Sequence, residues 1–249
     1  MTPLQAGAVF LAGVGAGTIN TVVGSGTLIT FPVLLSVGYP PVLANVSNTV
    51  GLFPGSISGA VGYRAELAGQ RRRLVVLGTA SAVGAVVGGL LLLRLPADAF
   101  RLIVPALIVL ACVLVLLQPR LSRRVRAGDA RPHGGVALYL GVLGAGVYGG
   151  YFGAAQGVLL IALLGLMLDE DLQRVNAAKN VLAALVNIAA AALFVVASDV
   201  AWAAAGLIAV GSVLGGQLGA RVGRRLSPTL LRLLVVAVGL LAIVRIVLD

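Results

Sequence analysis

The sequence predicts an all-α integral membrane protein made of two inverted repeats, and the observations that predict it are composition, span length and an internal repeat. Of its 249 residues, 59% are hydrophobic and 10% are charged, and the mean hydropathy is +1.08. Soluble domains carry about 25% charged residues. The composition therefore excludes a soluble enzyme. The formal charge of +10 is ascribed to basic loops beside a membrane and not to a surface that binds nucleic acid.

Apolar runs of about one membrane thickness follow one another along the chain. A helix rises about 1.5 Å per residue, so about 20 residues cross a hydrocarbon core of about 30 Å. The first half is predicted to contain spans at 42–62, 74–94 and 101–118, and the second half spans at 172–197, 200–221 and 229–248. Each set of spans follows a longer uncharged interval, 6–38 or 134–168, whose length fits neither one crossing nor two.

Both long intervals are interrupted by glycine near the middle. The interruption is Gly24-Ser25-Gly26 in the first interval and runs from Gly149-Gly150 through Gly157 in the second. Irregular backbone at lipid depth is tolerated only where protein buries it or where it lines a polar cavity. Each interval is therefore predicted to be a re-entrant hairpin of two half-helices.

An internal repeat relates the two halves of the chain. Gly17 and Gly24 correspond to Gly146 and Gly153, and a constant spacing of 131 residues relates Gly26, Leu28, Asn45 and Arg101 to Gly157, Leu159, Asn176 and Arg232. The predicted organisation is a first repeat at 1–118, a basic cytoplasmic linker at 119–133 and a second repeat at 134–249, within one transmembrane domain.

The positions of the basic residues test this count of spans. With both hairpins re-entrant and the N-terminus outside, 15 of the 18 Lys and Arg residues fall in cytoplasmic segments, as the positive-inside rule requires. Eight full crossings starting outside would put 71–73 on the wrong side, and eight starting inside would export Arg221, Arg224 and Arg225. Three true spans per half make the two repeats inverted, which places a substrate site between them at the bilayer midplane.

Polar side chains concentrate in the two breaks and in the helices that follow them. Half-helix N-termini at such breaks carry free N–H groups and a positive dipole end, which suit an anion. The candidate substrate-binding residues are Asn20, Ser25, Gly26, Thr27, Asn45, Asn48, Gln156, Asn176, Lys179 and Asn180.

Simpler roles exist for some of these residues. Lys179, the only lysine in the chain, lies at a depth where an ionisable group is by default functional, with snorkelling to the cytoplasmic surface as the alternative. The Gln156 amide either satisfies a neighbouring carbonyl or faces a cavity. Tyr148 and Tyr151 are either near the site or part of an interfacial aromatic belt.

The acidic residues all fall in predicted loops or at chain ends. No carboxylate is left near the midplane to bind a cation or relay protons, so a core of amides, hydroxyls and one ammonium favours an anionic substrate. Neither a metal site, a cofactor site nor a hydrolytic triad is indicated, and we expect no enzymatic activity.

The first hairpin and the helix after it resemble the TauE/SafE sulfite-exporter family of membrane transporters. The residues that carry the resemblance are Gly17-Thr-Ile-Asn20-Thr-Val-Val-Gly24-Ser-Gly26-Thr-Leu28, Gly38-Tyr-Pro40-Pro41, Ala44-Asn45-Val-Ser-Asn48-Thr, Gly149-Gly150-Tyr-Phe-Gly153 and Asn176-Ala-Ala-Lys179-Asn180. The resemblance implies a multi-pass carrier of the bacterial inner membrane for sulfite, sulfonates or related anions, usually exporting. We expect a secondary transporter with alternating access, embedded in the lipid bilayer, and a passive anion channel is the alternative. The sequence carries no signal for the oligomeric state.

Overall fold

The computed structural model describes residues 1–124 and 135–222, together with Leu233, Val236, Ala237 and Leu240. Within them the chain forms α1 (Pro3–Val22), α2 (Thr27–Val37), α3 (Pro41–Gly62), a 3₁₀ turn (Arg64–Leu67), α4 (Arg71–Arg94), α5 (Ala97–Arg124), α6 (Gly135–Tyr151), α7 (Gln156–Met167), α8 (Leu172–Ala197) and α9 (Trp202–Val222). By length and composition, α4, α8 and most of α9 can each cross a membrane. The predicted all-helical, multi-pass class is thus confirmed for the described residues.

The predicted spans agree closely with the helices. Spans 42–62, 74–94, 101–118, 172–197 and 200–221 correspond to α3, α4, α5, α8 and α9. The predicted end at 118 is too early, because α5 continues through Pro119 to Arg124; proline disfavours a helix interior without forbidding it. The predicted last span, 229–248, and positions 125–133 of the predicted linker lie outside the described residues, apart from the four positions above.

Each long uncharged interval folds as two helices joined at a short break. The first break is 23–26, between α1 and α2, and the second is 152–155, between α6 and α7. Gly24 and Gly153 have φ of 90° and 79°, a conformation open mainly to glycine. The second break is shorter than predicted: Gly149 and Gly150 are helical, since their missing side chains serve close packing and not a turn.

The first half-helix of each hairpin packs against a helix of the other repeat. In the α1–α9 contact, a Cβ atom at Gly17 would lie 2.3 Å from the carbonyl oxygen of Ser212. In the α6–α4 contact, a Cβ atom at Gly146 would lie 2.7 Å from the carbonyl oxygen of Ser81. Ser81 and Ser212 are themselves 131 residues apart. The two contacts are therefore equivalent under the repeat and hold the repeats together through glycine faces.

Aromatic rings surround the point where the hairpins and α5 meet. Phe31 of α2 and Phe152 of the second break stack edge to face with ring centroids 5.3 Å apart. Phe100 of α5 lies 5.8 Å from the ring of Tyr151. Tyr151 is buried in this cluster, so the alternative of an interfacial belt residue does not hold for it. The cluster fixes the second break against the first hairpin.

Candidate functional site

The two helix breaks are in direct contact. The backbone N–H of Gly157 donates to the carbonyl oxygen of Gly24 at 3.0 Å, and a Cβ atom at Gly24 would lie 2.4 Å from the Cα atom of Gly157. Because α2 begins at Thr27 and α7 at Gln156, the first turns of the two half-helices lie beside each other. The positive ends of two helix dipoles therefore meet at one buried point.

The first turn of α2 has free backbone donors there. The N–H groups of Ser25, Gly26 and Thr27 donate to no acceptor among the described residues. Gly26 packs closely on α1, since a Cβ atom on it would lie 2.6 Å from the carbonyl oxygen of Ala16. Free N–H groups at a helix start form a typical anion-binding arrangement.

The C-terminal end of α1 is capped by α8. The Lys179 ammonium, whose side chain is 0% exposed, donates to the carbonyl oxygens of Asn20 at 2.8 Å and Thr21 at 3.1 Å. The side-chain amides of Asn176 and Asn180 also donate to the Thr21 carbonyl, each at 3.3 Å. A cation is favourable at a helix C-terminus, where the last carbonyls have no helical partner.

Burial decides between the two predicted roles of Lys179. A snorkelling lysine keeps its ammonium in water, whereas this ammonium is enclosed. It forms no ion pair with any described residue; the ion pairs that the structure shows join Glu170 to Arg73 and Arg174. The protein therefore holds a buried cation whose contacts are neutral carbonyls.

The C-terminal end of α6 has an equivalent cap from α3. The Asn45 amide donates to the carbonyl oxygen of Tyr151, the last residue of α6, at 2.9 Å. Asn45 and Asn176 are repeat counterparts, so each repeat supplies an asparagine to the half-helix of the other. Asn48, the counterpart of Lys179, instead donates to the Thr27 hydroxyl at 3.2 Å and accepts a short hydrogen bond from the Thr30 hydroxyl.

Four buried polar atoms around the crossing have no hydrogen-bond partner among the described residues. They are Ser25 Oγ, Gln156 Nε2, Asn45 Oδ1 and Asn176 Oδ1. Ser25 and Gln156 are 131 residues apart, as are Asn45 and Asn176, so the atoms form two pairs of repeat counterparts. A buried polar group without a partner costs about 1–3 kcal/mol. Two such pairs at one place indicate that a polar ligand completes them.

The structure brings most of the predicted site residues together. The helix N-termini, the unpartnered atoms and Lys179 surround the Gly24–Gly157 contact, and a Cβ atom at Gly157 would lie 2.9 Å from Lys179 Cδ. Gln156 folds back onto Gly149, where a Cβ atom would lie 2.4 Å from its Cδ. Of its two predicted alternatives, the free Nε2 is consistent with a cavity and not with a bound carbonyl.

Asn20 is placed differently from the other predicted residues. Its carbonyl receives Lys179, but its side-chain amide donates to Ser56 Oγ at 3.3 Å. The Asn187 amide donates to the same hydroxyl at 2.8 Å. Ser56 and Asn187 were not among the predicted site residues. The signal that could have found them is their spacing of 131, which makes them repeat counterparts.

A charged network ties the start of α4 to the start of α8. Glu170 accepts from Arg73 at 2.9 Å and from Arg174 at 2.5 Å. The Gln70 amide donates to the Arg174 carbonyl at 3.2 Å. The hydrogen bond from Arg174, followed by that from Arg73, holds the pKa of Glu170 below its ordinary value. Residues of both repeats are thus joined outside the apolar core.

The parts of the chain that the structure describes contain no group of three or more His, Cys, Asp or Glu side chains placed to hold a metal ion. The buried polar atoms near the crossing are amides, hydroxyls and one ammonium. Such a set donates hydrogen bonds and suits an anion better than a cation.

Comparison with known proteins identifies the family. Residues 9–246 match the family model described as Sulfite exporter TauE/SafE. The chain belongs to this family. As a TauE/SafE member it is similar to the "Probable membrane transporter protein YfcA" of Escherichia coli (strain K12), with 30% identity over 96% of this chain and 88% of that protein.

Two more TauE/SafE relatives extend the comparison. The "Probable membrane transporter protein" of Haemophilus influenzae is 27% identical over 96% of this chain and 93% of its own length. The "Probable membrane transporter protein ORF9" of Sinorhizobium sp. is 27% identical over 96% of this chain and 91% of its own. No solved structure matches the chain. These names support a membrane transporter and not an enzyme.

Proposed function

We propose that this TauE/SafE protein is a secondary transporter that exports a small sulfur-containing anion, sulfite or an organosulfonate, across the bacterial inner membrane by alternating access between two inverted repeats. The single observation that carries the proposal is the buried crossing, where two half-helix N-termini lie beside an ammonium that forms no ion pair with a described residue.

Electrostatics favours an anion at this crossing. A helix N-terminus stabilises a negative charge by about 0.3–1 kcal/mol, and by up to about 2 kcal/mol when partly buried. Enclosing an uncompensated ammonium costs several kcal/mol, and a bound anion would offset that cost. The Lys179 ammonium and the two helix starts therefore act in the same direction, and no described carboxylate opposes them.

The amide and hydroxyl groups are suited to the oxygen atoms of such an anion. We assign Ser25, Thr27, Gln156 and the free N–H groups of the first break to substrate oxygens. Asn45, Asn48, Asn176 and Asn180 hold the ends of the half-helices and complete the wall of the site. This division follows from their contacts: the first group has free donors, and the second already caps backbone or hydroxyl groups.

Burial favours a carrier over an open channel. Ser25 and Lys179 are both 0% exposed, so an anion enters only after the surrounding helices move. A channel would need a continuous open path. The two hairpins, each packed on a helix of the opposite repeat, provide two equivalent surfaces on which one repeat can rock against the other.

The test is flux through proteoliposomes containing the purified full chain. Wild-type protein should take up sulfite, sulfoacetate or taurine faster than protein-free vesicles and should show counterflow of the same anion. Planar-bilayer conductance without counterflow would instead support a passive anion channel. Flux no faster than empty vesicles for all three compounds would contradict the proposal.

Two variants separate the charge of Lys179 from its hydrogen bonds. Lys179→Gln keeps a donor for the α1 carbonyls without the charge, and Lys179→Met removes both. Loss of a charge-assisted contact of about 1.5–3 kcal/mol predicts that both variants lose about 10- to 100-fold in kcat/KM. Recovery of wild-type flux in Lys179→Gln would show that capping alone matters and would remove Lys179 from the substrate site.

A further inference from the structure

A second polar cluster lies next to the crossing and is not explained by the caps of the half-helices. It consists of the Asn20, Ser56 and Asn187 side chains, from α1, α3 and α8. Ser56 Oγ accepts both amides and donates to the Leu52 carbonyl at 3.1 Å. A hydroxyl thus joins two amides from different helices.

Ser56 and Asn187 are repeat counterparts that touch each other. If one repeat is related to the other by a rotation, a residue can contact its own counterpart only close to the rotation axis. The cluster is therefore placed at the centre of the interface between the repeats, where transporters of this design hold their substrates.

The cluster is connected to Lys179 in two ways. Asn20 accepts the Lys179 ammonium through its carbonyl oxygen and contacts Ser56 through its side chain. On α8, Asn187 lies seven residues beyond Asn180, so it is on the same helix face two turns further along. A continuous polar face leads from the closed crossing to Asn187.

Exposure distinguishes this cluster from the crossing. Asn20 and Asn187 are partly exposed, whereas their chain neighbours Ile19, Thr21 and Val186 are buried. An amide within a membrane helix faces protein or a water-filled space, because exposure to lipid would leave it unsolvated. Each of these two amides has a second N–H, and neither donates it to a described residue.

Resting on the proposed function above, we infer that Asn20, Ser56 and Asn187 form a second anion-contacting position, the polar step through which the substrate passes between water and the Lys179 crossing. The amide N–H groups bind the oxygen atoms of a sulfite or sulfonate group there. The Ser56 hydroxyl holds the two amides at a fixed separation.

Thiol modification tests this inference without knowledge of the substrate. In a Cys112→Ala background, the Asn187→Cys variant is treated with an anionic methanethiosulfonate that carries an ethylsulfonate group and, separately, with its ammonium analogue. Ile188→Cys is the matched control, because Ile188 is the next residue along α8 and is 39% exposed. Since these reagents need an ionised thiol in water, Asn187→Cys should react roughly tenfold faster than Ile188→Cys.

The preference for charge is the second readout. After correction for reactivity with a free thiol, the anionic reagent should modify Asn187→Cys faster than the cationic one, and Lys179→Gln should reduce that preference. Ser56→Cys, which exchanges only oxygen for sulfur, should give the same pattern and serves if Asn187→Cys fails to fold. Equal rates at 187 and 188, or faster reaction with the cationic reagent, would overturn the inference.

The proposed function can fail separately. If wild-type protein shows no anion flux but the thiols react with anionic preference, the second position exists and the transport proposal is wrong. If flux is present and neither thiol reacts in folded protein, the transport proposal stands and this inference is wrong.

Discussion

Gly24 and Gly157 lie so close together that neither could carry a side chain without moving the other backbone. One hydrogen bond joins them, and the starts of α2 and α7 are held next to each other as a result. The arrangement of the buried crossing therefore depends on two hydrogen atoms where other residues have a Cβ atom.

This contact predicts a large effect of Gly24→Ala. Gly24 has φ of 90° and a neighbour at 2.4 Å, whereas Gly38 has φ of 101° and nothing within 4 Å. Gly38→Ala should therefore lose about 1–2 kcal/mol from backbone strain, and Gly24→Ala should lose more, together with transport. Thermal unfolding in detergent and flux of both variants provide the measurement; equal losses would contradict the close approach.

The glycine face of α9 predicts a second pair of variants. A Cβ atom at Gly215 would lie 2.1 Å from the Val14 carbonyl oxygen, but one at Gly206 would meet nothing within 4 Å. Gly206→Ala should stabilise the protein by up to about 1 kcal/mol because alanine favours helix. Gly215→Ala should lower the unfolding temperature by separating α9 from α1. The prediction fails if the two variants unfold at the same temperature.

The Glu170 network predicts a dependence of stability on acid. Its pKa in the folded protein lies below the ordinary value of 4.5, so the ionised form is favoured by folding and its contribution is fully present above pH 4.5. That contribution should disappear as the pH falls through the lowered pKa. Glu170→Gln should have a lower unfolding temperature at pH 7 and a flatter profile below pH 4.5. Parallel wild-type and variant profiles would rule this out.

The second half of the Glu170 network gives an independent variant. Gln70 joins the turn before α4 to the Arg174 carbonyl. Gln70→Ala leaves that buried carbonyl with one donor fewer, so we expect a loss of about 1 kcal/mol. Gln173→Ala, at an exposed position on the first turn of α8, is the control and should be close to neutral in the same unfolding assay.

Much of the fold could be predicted because membrane helices are fixed by length and hydropathy, and the breaks by glycine. The Asn45 and Asn176 faces could be found because the repeat carries the same residue twice. The partners of Lys179 could not, since a helix C-terminus becomes its ligand only when α1 and α8 pack. The roles of Gly149 and Gly150 were misjudged for a related reason: a glycine that permits packing and one that permits a turn are identical in sequence.

Ser56 and Asn187 illustrate the remaining limit of sequence reasoning. Their residue types differ, so a search for identical counterparts passes over them. Only the folded chain shows that a serine and an asparagine at equivalent positions face each other. Their chemistry is complementary and not repeated.

The substitution of Asn48 by Lys179 at the equivalent position of the second repeat has an energetic consequence. Two inverted halves of identical sequence would make the inward-open and outward-open forms mirror one another and have equal free energy. A single positive charge, carried by one half alone, removes that degeneracy. The empty protein then rests with its opening toward one particular compartment, and a bound anion that neutralises the charge brings the two orientations closer to balance.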